Sequence, residues 1–317
     1  MAGDLGHLDP VLRDPALGAD PAVNAIRHVA AAGARSQIGV FLLPLLGAAG
    51  YRVTALSRQE NQPAILGGPI AWCSPKTAPS AIDGLVSCGP LSLARRWVEH
   101  SEGLERVVAF STTSTVSKKN SGDQAERILV RSIAGEETAL KALCRERGIA
   151  LSILRPTLVY GCGRDRNLSR LLRFGERTGF IPCSSRAGGL RQPVHAEDLA
   201  TIALAALGRP GNALFESPVG GGSTLTYREM LEKTARCGSR PIRLVSIAPA
   251  LMVPMVKAAA ISGLASGVNS EMVHRQATDL VFDDSPAREF LGWNPRPFDP
   301  TPADFELPPE PKREVST

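Results

Sequence analysis

A strand-like run ending at Ala31 leads into Gly33-Ala34-Arg35-Ser36-Gln37-Ile38-Gly39, and a helix-like run follows. Strand, glycine turn and helix start, in that order, make a place for the phosphates of a dinucleotide. Gly33 permits the turn and Gly39 lets the helix pack close to the strand. Backbone N–H groups at Ser36, Gln37 and Ile38 meet the pyrophosphate at the helix start. Ser36 stands where such turns carry their middle glycine. Its Cβ crowds the phosphates, and its hydroxyl offers a hydrogen bond in return. The plainer alternative is a turn that joins strand to helix and binds nothing. Past the next strand comes Leu56-Ser57-Arg58. A carboxylate there would take ribose hydroxyls, whereas a basic residue suits an extra phosphate. Arg58 therefore points to NADP, with NAD left open and a solvated loop arginine as the alternative.

Further along, Lys118 and Lys119 follow a hydroxyl-rich stretch, Ser111-Thr112-Thr113-Ser114. A lysine in a partly desolvated pocket can serve as acid or base; a solvated loop pair is the alternative. Tyr160-Gly161 is followed by the polar group Arg164, Asp165, Arg166 and Asn167, suited to a substrate cleft or to capping a helix. The 6 cysteines, at 73, 88, 144, 162, 183 and 237, form no Cys-x-x-Cys pair and have no histidine at zinc spacing. They read as free thiols, with no metal site expected.

These groups need a scaffold. Strand-like segments are expected at Asn24 to Ala31, Tyr51 to Leu56, Ile70 to Cys73, Gly84 to Ser87, Arg106 to Ser111 and Ala150 to Leu154. Helices are expected at Ile38 to Ala49, Leu91 to His100 and Asp123 to Arg147, then near 166–178, 196–207, 226–237, 248–264 and 285–291. Alternating strands and helices imply an α/β fold, a Rossmann-type doubly wound parallel sheet with a smaller C-terminal substrate-binding lobe. The organisation expected is a disordered tail over 1–20, a dinucleotide-binding domain over 21–160 with 193–208 returning to it, a substrate lobe mainly over 161–300, and a disordered tail over 301–317.

Composition limits the function classes. Lys+Arg 36 against Asp+Glu 31 gives +5, too mild and too evenly spread for nucleic acid, and aromatic residues are only 5%. The first twenty residues have no apolar run of the signal-peptide kind. Leu244 to Val268 is the greasiest stretch, yet Pro249, Pro254 and Lys257 interrupt it. It predicts a buried or interfacial helix rather than a membrane span, with attachment to a membrane surface as the lesser alternative. A cytoplasmic protein follows.

Four blocks then resemble one family in order. Val107 to Ser114 resembles the fifth strand of NAD-dependent epimerase/dehydratase enzymes, the extended branch of the short-chain dehydrogenase/reductases. Leu151 to Gly161 (LSILRPTLVYG) is similar to their sixth strand and its loop. Gly189 to Ala200 (GLRQPVHAEDLA) and Asp279 to Pro297 (DLVFDDSPAREFLGWNPRP) resemble the substrate-side turn and the C-terminal signature. The resemblance implies that Thr113 bonds the reacting sugar oxygen, with Ser111 beside it at the cofactor. It places Pro156, Gly89 and Pro90 around the nicotinamide and its ribose. It makes Arg191 a partner of a nucleotide-sugar diphosphate, with Asn167 at the same cleft. A nucleotide sugar as small-molecule substrate and a homodimer through helices flanking the site are implied likewise. His195 and Asp198, at a helix start, read as capping and inter-lobe bonds.

One departure matters. The family's chemistry rests on a Tyr and a Lys four residues later. Counting back from Glu136-Glu137, the Tyr falls near Ile128 or Leu129 and the Lys near Ser132 or Ile133, and neither is present. The enzyme is the first reading and a non-catalytic binder the alternative. In one, Lys118 and Tyr160 replace the pair in an NAD(P)-dependent enzyme acting on a nucleotide sugar. In the other, the chain is a redox-inactive dinucleotide-binding regulatory or scaffold protein.

Overall fold

The computed structural model describes residues 26–57, 70–74, 81–165, 167–209, 211, 213–261 and 269–307; Arg58 and Arg166 lie outside them. The N-terminal half runs β1 (His28–Ala32), α1 (Gly39–Ala48), β2 (Arg52–Leu56), β3 (Ile70–Cys73), β4 (Gly84–Ser87), α2 (Leu91–His100), β5 (Arg106–Phe110), α3 (Ser114–Ser117), α4 (Gln124–Glu146) and β6 (Ala150–Pro156). It continues through β7 (Val159–Tyr160), α5 (Leu168–Thr178), β8 (Phe180–Ser184), β9 (Leu190–Arg191), β10 (Val194–His195), α6 (Ala196–Gly208), β11 (Phe215–Val219), β12 (Leu225–Thr226), α7 (Tyr227–Arg236), β13 (Arg243–Ile247), α8 (Pro249–Ile261), α9 (Ser270–Arg275) and α10 (Ser285–Leu291).

Seven strands form one sheet in the order β11-β6-β5-β4-β1-β2-β3, and each recorded pairing in it is parallel. This is a Rossmann-like α/β sheet. Period-2 alternation sorts the strand residues into two cores. Val29, Ala31, Val53, Val86 and Val108 face α1 and α6, while Ala30, Ala32, Leu85, Val107 and Ala109 face α2 and α4. Leu42, Leu43 and Leu46 of α1 are fully buried in the first layer. Burying each stabilises by roughly 1.5–3 kcal/mol relative to exposure.

Outside the sheet, Tyr160, Leu168, Ile181, Met230, Leu231 and Phe298 form a third core. Two-stranded pairs β8–β13, β9–β12 and β7–β10 frame it. The end of this region corrects an expectation. Residues expected as a disordered tail from Thr301 are ordered to Leu307. Pro302–Phe305 form a turn of 3-10 helix, closed by a reciprocal cap between Thr301 and Asp304. Phe305 packs on the third core. Proline and charge made this segment look polar; two anchors, Asp304 and Phe305, are enough to hold it.

Candidate functional site

The strand order reverses direction between β1 and β4, and in open α/β sheets ligands bind beyond the strand ends at that point. The turn after β1 and the turn after β4 meet there. Gly33 has φ +71°, and a Cβ on it would lie 2.9 Å from the backbone of Cys88 and Gly89. Gly39 is as tightly held, since its Cβ would stand 2.5 Å from the Gly33 carbonyl. Both positions therefore require glycine. The Ser36 N–H donates to the Gly33 carbonyl at 2.8 Å, and the Ser36 hydroxyl accepts from the Gly39 N–H at 3.1 Å. The serine thus occupies itself with closing the turn. Among the described residues the N–H groups of Gln37 and Ile38 have no protein partner. No acidic residue stands in the first turn of α1. Two free donors at a helix start suit an anion. Beside them, burial pushes the Cys88 thiol up to about 12, against a smaller opposing pull from Ser36. The thiol is neutral.

The loop after β7 lies on this turn. Gln37 donates its side-chain amide to the Gly161 carbonyl at 3.0 Å, and Arg164 donates to the Arg35 carbonyl. Gly161, Cys162 and Gly163 all have positive φ, at 104°, 56° and 64°. A left-handed cysteine costs backbone strain, of order 1–3 kcal/mol. A Cβ on Gly161 would lie 2.6 Å from His195 Nε2, and one on Gly163 would fall inside the Phe305 carbonyl. Tyr160, expected as a surrogate proton donor, is instead packed between the rings of His195 (5.0 Å) and Phe298 (4.9 Å). Burial, with nearby carboxylates, pushes its phenol far up. It is a wall of the lobe core.

At the end of β5, Ser111 donates to Glu137, and Thr113 donates to the Pro156 carbonyl at 3.1 Å. Each hydroxyl has its one proton committed, so towards a ligand it can only accept. Arg155 grips Glu137 with two bonds of 3.0 and 2.6 Å and reaches Glu216 at 3.2 Å. Burial would raise the Glu137 carboxyl, but the bonds from Arg155 and Ser111 outweigh it and hold the group below the usual range. One α-helical turn and two turns back along α4 stand Ile133, half-buried, and Leu129, 57% exposed. No acid or base replaces the missing pair at those positions.

Lys118 is not a free amine. Its Nζ lies 3.1 Å from Glu126, which also takes two bonds of 2.7 Å from Arg275 and one of 2.7 Å from Ser121. Burial opposes ionisation of Glu126, yet these donors bring its carboxyl down to about 2. Lys119 is exposed. Arg191 is likewise committed. It is 4% exposed, donates to the carbonyls of Leu190 (2.7 Å), Thr278 (2.7 Å) and Arg275 (2.5 Å), and lies over the Tyr227 ring. Its fork ties β9 to the segment after α9 rather than presenting itself to a diphosphate. Asn167 is exposed at the start of α5, where Asp165 accepts from the Asn167 and Ser169 N–H groups at 3.0 Å. Capping is thus the work of Asp165. Gly89 and Pro90 come one residue past β4, at the switch point, and Pro156 ends β6, two strands further along the sheet.

His195 and Asp198 behave as helix-start residues do. His195 Nδ1 accepts from the Glu197 N–H at 3.2 Å, and Asp198 pairs with Arg296 at 2.8 Å. Sequence reasoning missed the triangle of Glu126, Arg275 and Lys118, and also Asp304, whose carboxylate lies 3.3 Å from His195 Nε2. Thr301 followed by Asp304, spaced as a capping box, was the one local sign of the latter.

Fold and site together define a Rossmann-like protein with the architecture of nucleotide-sugar epimerases. The crystal structure of UDP-glucuronic acid 4-epimerase from Bacillus cereus in complex with NAD superposes with a TM-score of 0.62 at 15% identity, covering 88% of this chain and 94% of that one. The resemblance to the epimerase/dehydratase family read from the sequence holds at the level of fold. In sequence, the chain is 30% identical over 206 residues to an uncharacterized protein, y4nG, of Sinorhizobium fredii, covering 61% of this chain and 50% of that protein. It is 28% identical over 159 residues to the UDP-glucose 4-epimerase of Vibrio cholerae, covering 50% of this chain and 46% of that enzyme. The chain spans about half the length of these curated relatives. No family model matches the chain.

Proposed function

We propose that this protein binds an NAD(P) dinucleotide across the β1–β4 switch point and does not carry out hydride chemistry through a tyrosine–lysine pair, so that it acts as a redox-inactive dinucleotide-binding regulatory or scaffold protein. One observation carries the reading: the expected positions hold no acid or base, Lys118 and Tyr160 are otherwise occupied, and Lys119 stands exposed on the surface. Leu129 and Ile133 stand at the expected positions, Lys118 is ion-paired and Tyr160 is in a core. The cradle itself fits the ligand. Gly33 and Gly39 keep the turn tight, and the Gln37 and Ile38 N–H groups are left to receive phosphate oxygens. Gly89, Pro90 and Pro156 border the place of the nicotinamide, and Ser111 and Thr113 offer acceptor oxygens beside it. A bound nicotinamide supplies a hydride acceptor or donor; the residues here bind it and shield it.

NADP is the proposed form, on the strength of Arg58, with NAD as the alternative, since NAD is what the Bacillus cereus relative holds. A cytoplasmic protein and a homodimer belong to the same reading. The enzyme reading, with a nucleotide sugar as substrate, keeps one supporting observation: Ser111 and Thr113 are held in fixed orientations at the strand end.

Fluorescence titration with NADPH and NADH tests binding, and incubation of the holoprotein with UDP-sugars and NAD tests chemistry. Saturable binding, tighter for NADPH, with no sugar conversion is expected. Conversion of any UDP-sugar restores the enzyme reading, and absence of binding in folded protein overturns the dinucleotide site itself.

A further inference from the structure

The lobe carries a face that none of the described residues covers. In α8 the residues Leu251, Pro254, Met255 and Ala258, at i, i+3, i+4 and i+7, form one exposed stripe. Leu251 is 64% exposed and Met255 56%. α8 has no acidic residue, and Lys257 is its one cation. β13, which leads into it through Ala248, exposes Val245 on the same strand face as Arg243.

Cations outnumber carboxylates in the segment that carries this face. Between Glu232 and Glu271 the sequence holds no Asp or Glu. Arg236, Arg240, Arg243 and Lys257 within that span are exposed, and among the described residues none of them pairs with a carboxylate. Arg236 and Arg240 line an open cleft with Leu244 of β13, and Glu232 stands in the same cleft. The carboxylate of Glu271, on the neighbouring α9, is turned away: it lies against Gly122 at the start of α4. An apolar helix with one unpaired lysine, preceded in the chain by three unpaired arginines, suits an apolar partner with an anionic border.

A second copy of this chain is a poor match. A two-fold contact brings a patch onto itself, so the same cations would face one another across it. The interface of an anionic bilayer supplies both acyl chains and negative headgroups, and it accepts a helix lying in its plane. At 13 residues α8 is about 20 Å long, short of the roughly 30 Å a crossing needs. No helix among the described residues is long and apolar enough to cross a membrane. We propose that α8 and β13 form a surface that docks on anionic lipid bilayers, with Leu251 and Met255 entering the acyl boundary, Lys257 meeting the headgroups beside them and Arg243 adding positive charge at the far end of the strand.

Sedimentation of the full chain with phosphatidylcholine vesicles, with and without phosphatidylglycerol, tests this. Pelleting with the phosphatidylglycerol vesicles is expected, at least tenfold above that with phosphatidylcholine alone. The double variant Leu251→Glu with Met255→Glu alters only exposed positions, so its melting temperature stays that of the parent while its pelleted fraction falls at least tenfold. Lys257→Glu lowers the fraction severalfold. A chain that stays in solution with both vesicles, or a double variant that pellets like the parent, overturns the proposal. So does a dimer, seen by light scattering, that the double variant abolishes while the parent ignores vesicles.

Discussion

Gly33 shows how one atom can decide a site. Its φ is left-handed and its missing Cβ is the space occupied by the Cys88–Gly89 peptide. Gly33→Ala must therefore push two strand ends apart at the switch point. A cost of about 2–3 kcal/mol is expected from the strained φ and the clash, read as a lower melting temperature. NADPH affinity should fall further than the melting temperature alone explains, because the Gln37 and Ile38 donors move with the turn. Arg191 makes the opposite case. Its three carbonyl bonds make it a clamp, so Arg191→Ala is expected to cost about 2–4 kcal/mol of stability through orphaned buried carbonyls. Nucleotide-sugar affinity measured by calorimetry on the folded variant should be unchanged; a selective loss there would return Arg191 to the substrate.

At the level of elements, β1 to β6 and the helices between them were legible: β1 as a short apolar run before a glycine turn, α1 as an apolar run after it, and α4 as an amphipathic helical period. β3, β4 and α2 fall where the pattern put them. What escaped were the later strands β8, β11 and β13, which were not placed by residue, and pieces too short to show a period, namely α3, α9 and the two-residue strands. The glycine turn was legible for the same reason, since turn chemistry is local. The fates of Lys118, Tyr160 and Arg191 were not. Each depends on a partner far along the chain (Glu126 with Arg275, Phe298, and Thr278 respectively), and long-range partners leave no local trace. The Glu126 junction between α4 and α9 also carries a pH signature. Its carboxyl falls from an ordinary value of 4.5 to about 2 in the folded chain. A depressed carboxylate stabilises fully above its unfolded pKa, and that contribution is lost as the pH drops through the folded one. Melting temperature should thus decline between pH about 4.5 and 2. In Glu126→Gln that component of the decline should be missing, and the variant should start about 2 kcal/mol lower at pH 7. Equal slopes in parent and variant would remove Glu126 from the account.

For the whole molecule, the third core depends on the segment that composition made look expendable. Removing residues 301–317 takes away Phe305, the Asp304 carboxylate beside His195 and the cover over Gly163. Burial opposes ionisation of Asp304, but the His195 ring 3.3 Å away and bonds from Thr301 hold it low, so a charged group is lost from a half-buried niche. The truncated chain should lose about 3–5 kcal/mol, on the scale of deleting a buried phenylalanine. Hydrogen exchange should rise first in β7 and the start of α6. A truncation that leaves the melting temperature unchanged would mean that the third core closes without Phe305.

The contact between Gly163 and the Phe305 carbonyl also sets an order of assembly. Gln37 is among the first residues of the sheet domain to leave the ribosome, and its partner loop at Gly161 follows 124 positions later. That loop is backed by Phe305, which is made last of the three. Synthesis proceeds at about 5–20 residues per second, so tens of seconds separate the first of these groups from the third. Until Phe305 has been made, the turn at Gly33 lacks the backed loop that covers it in the folded chain. A dinucleotide that bound at the switch point would find the turn after β1 less covered on the nascent chain than in the finished fold.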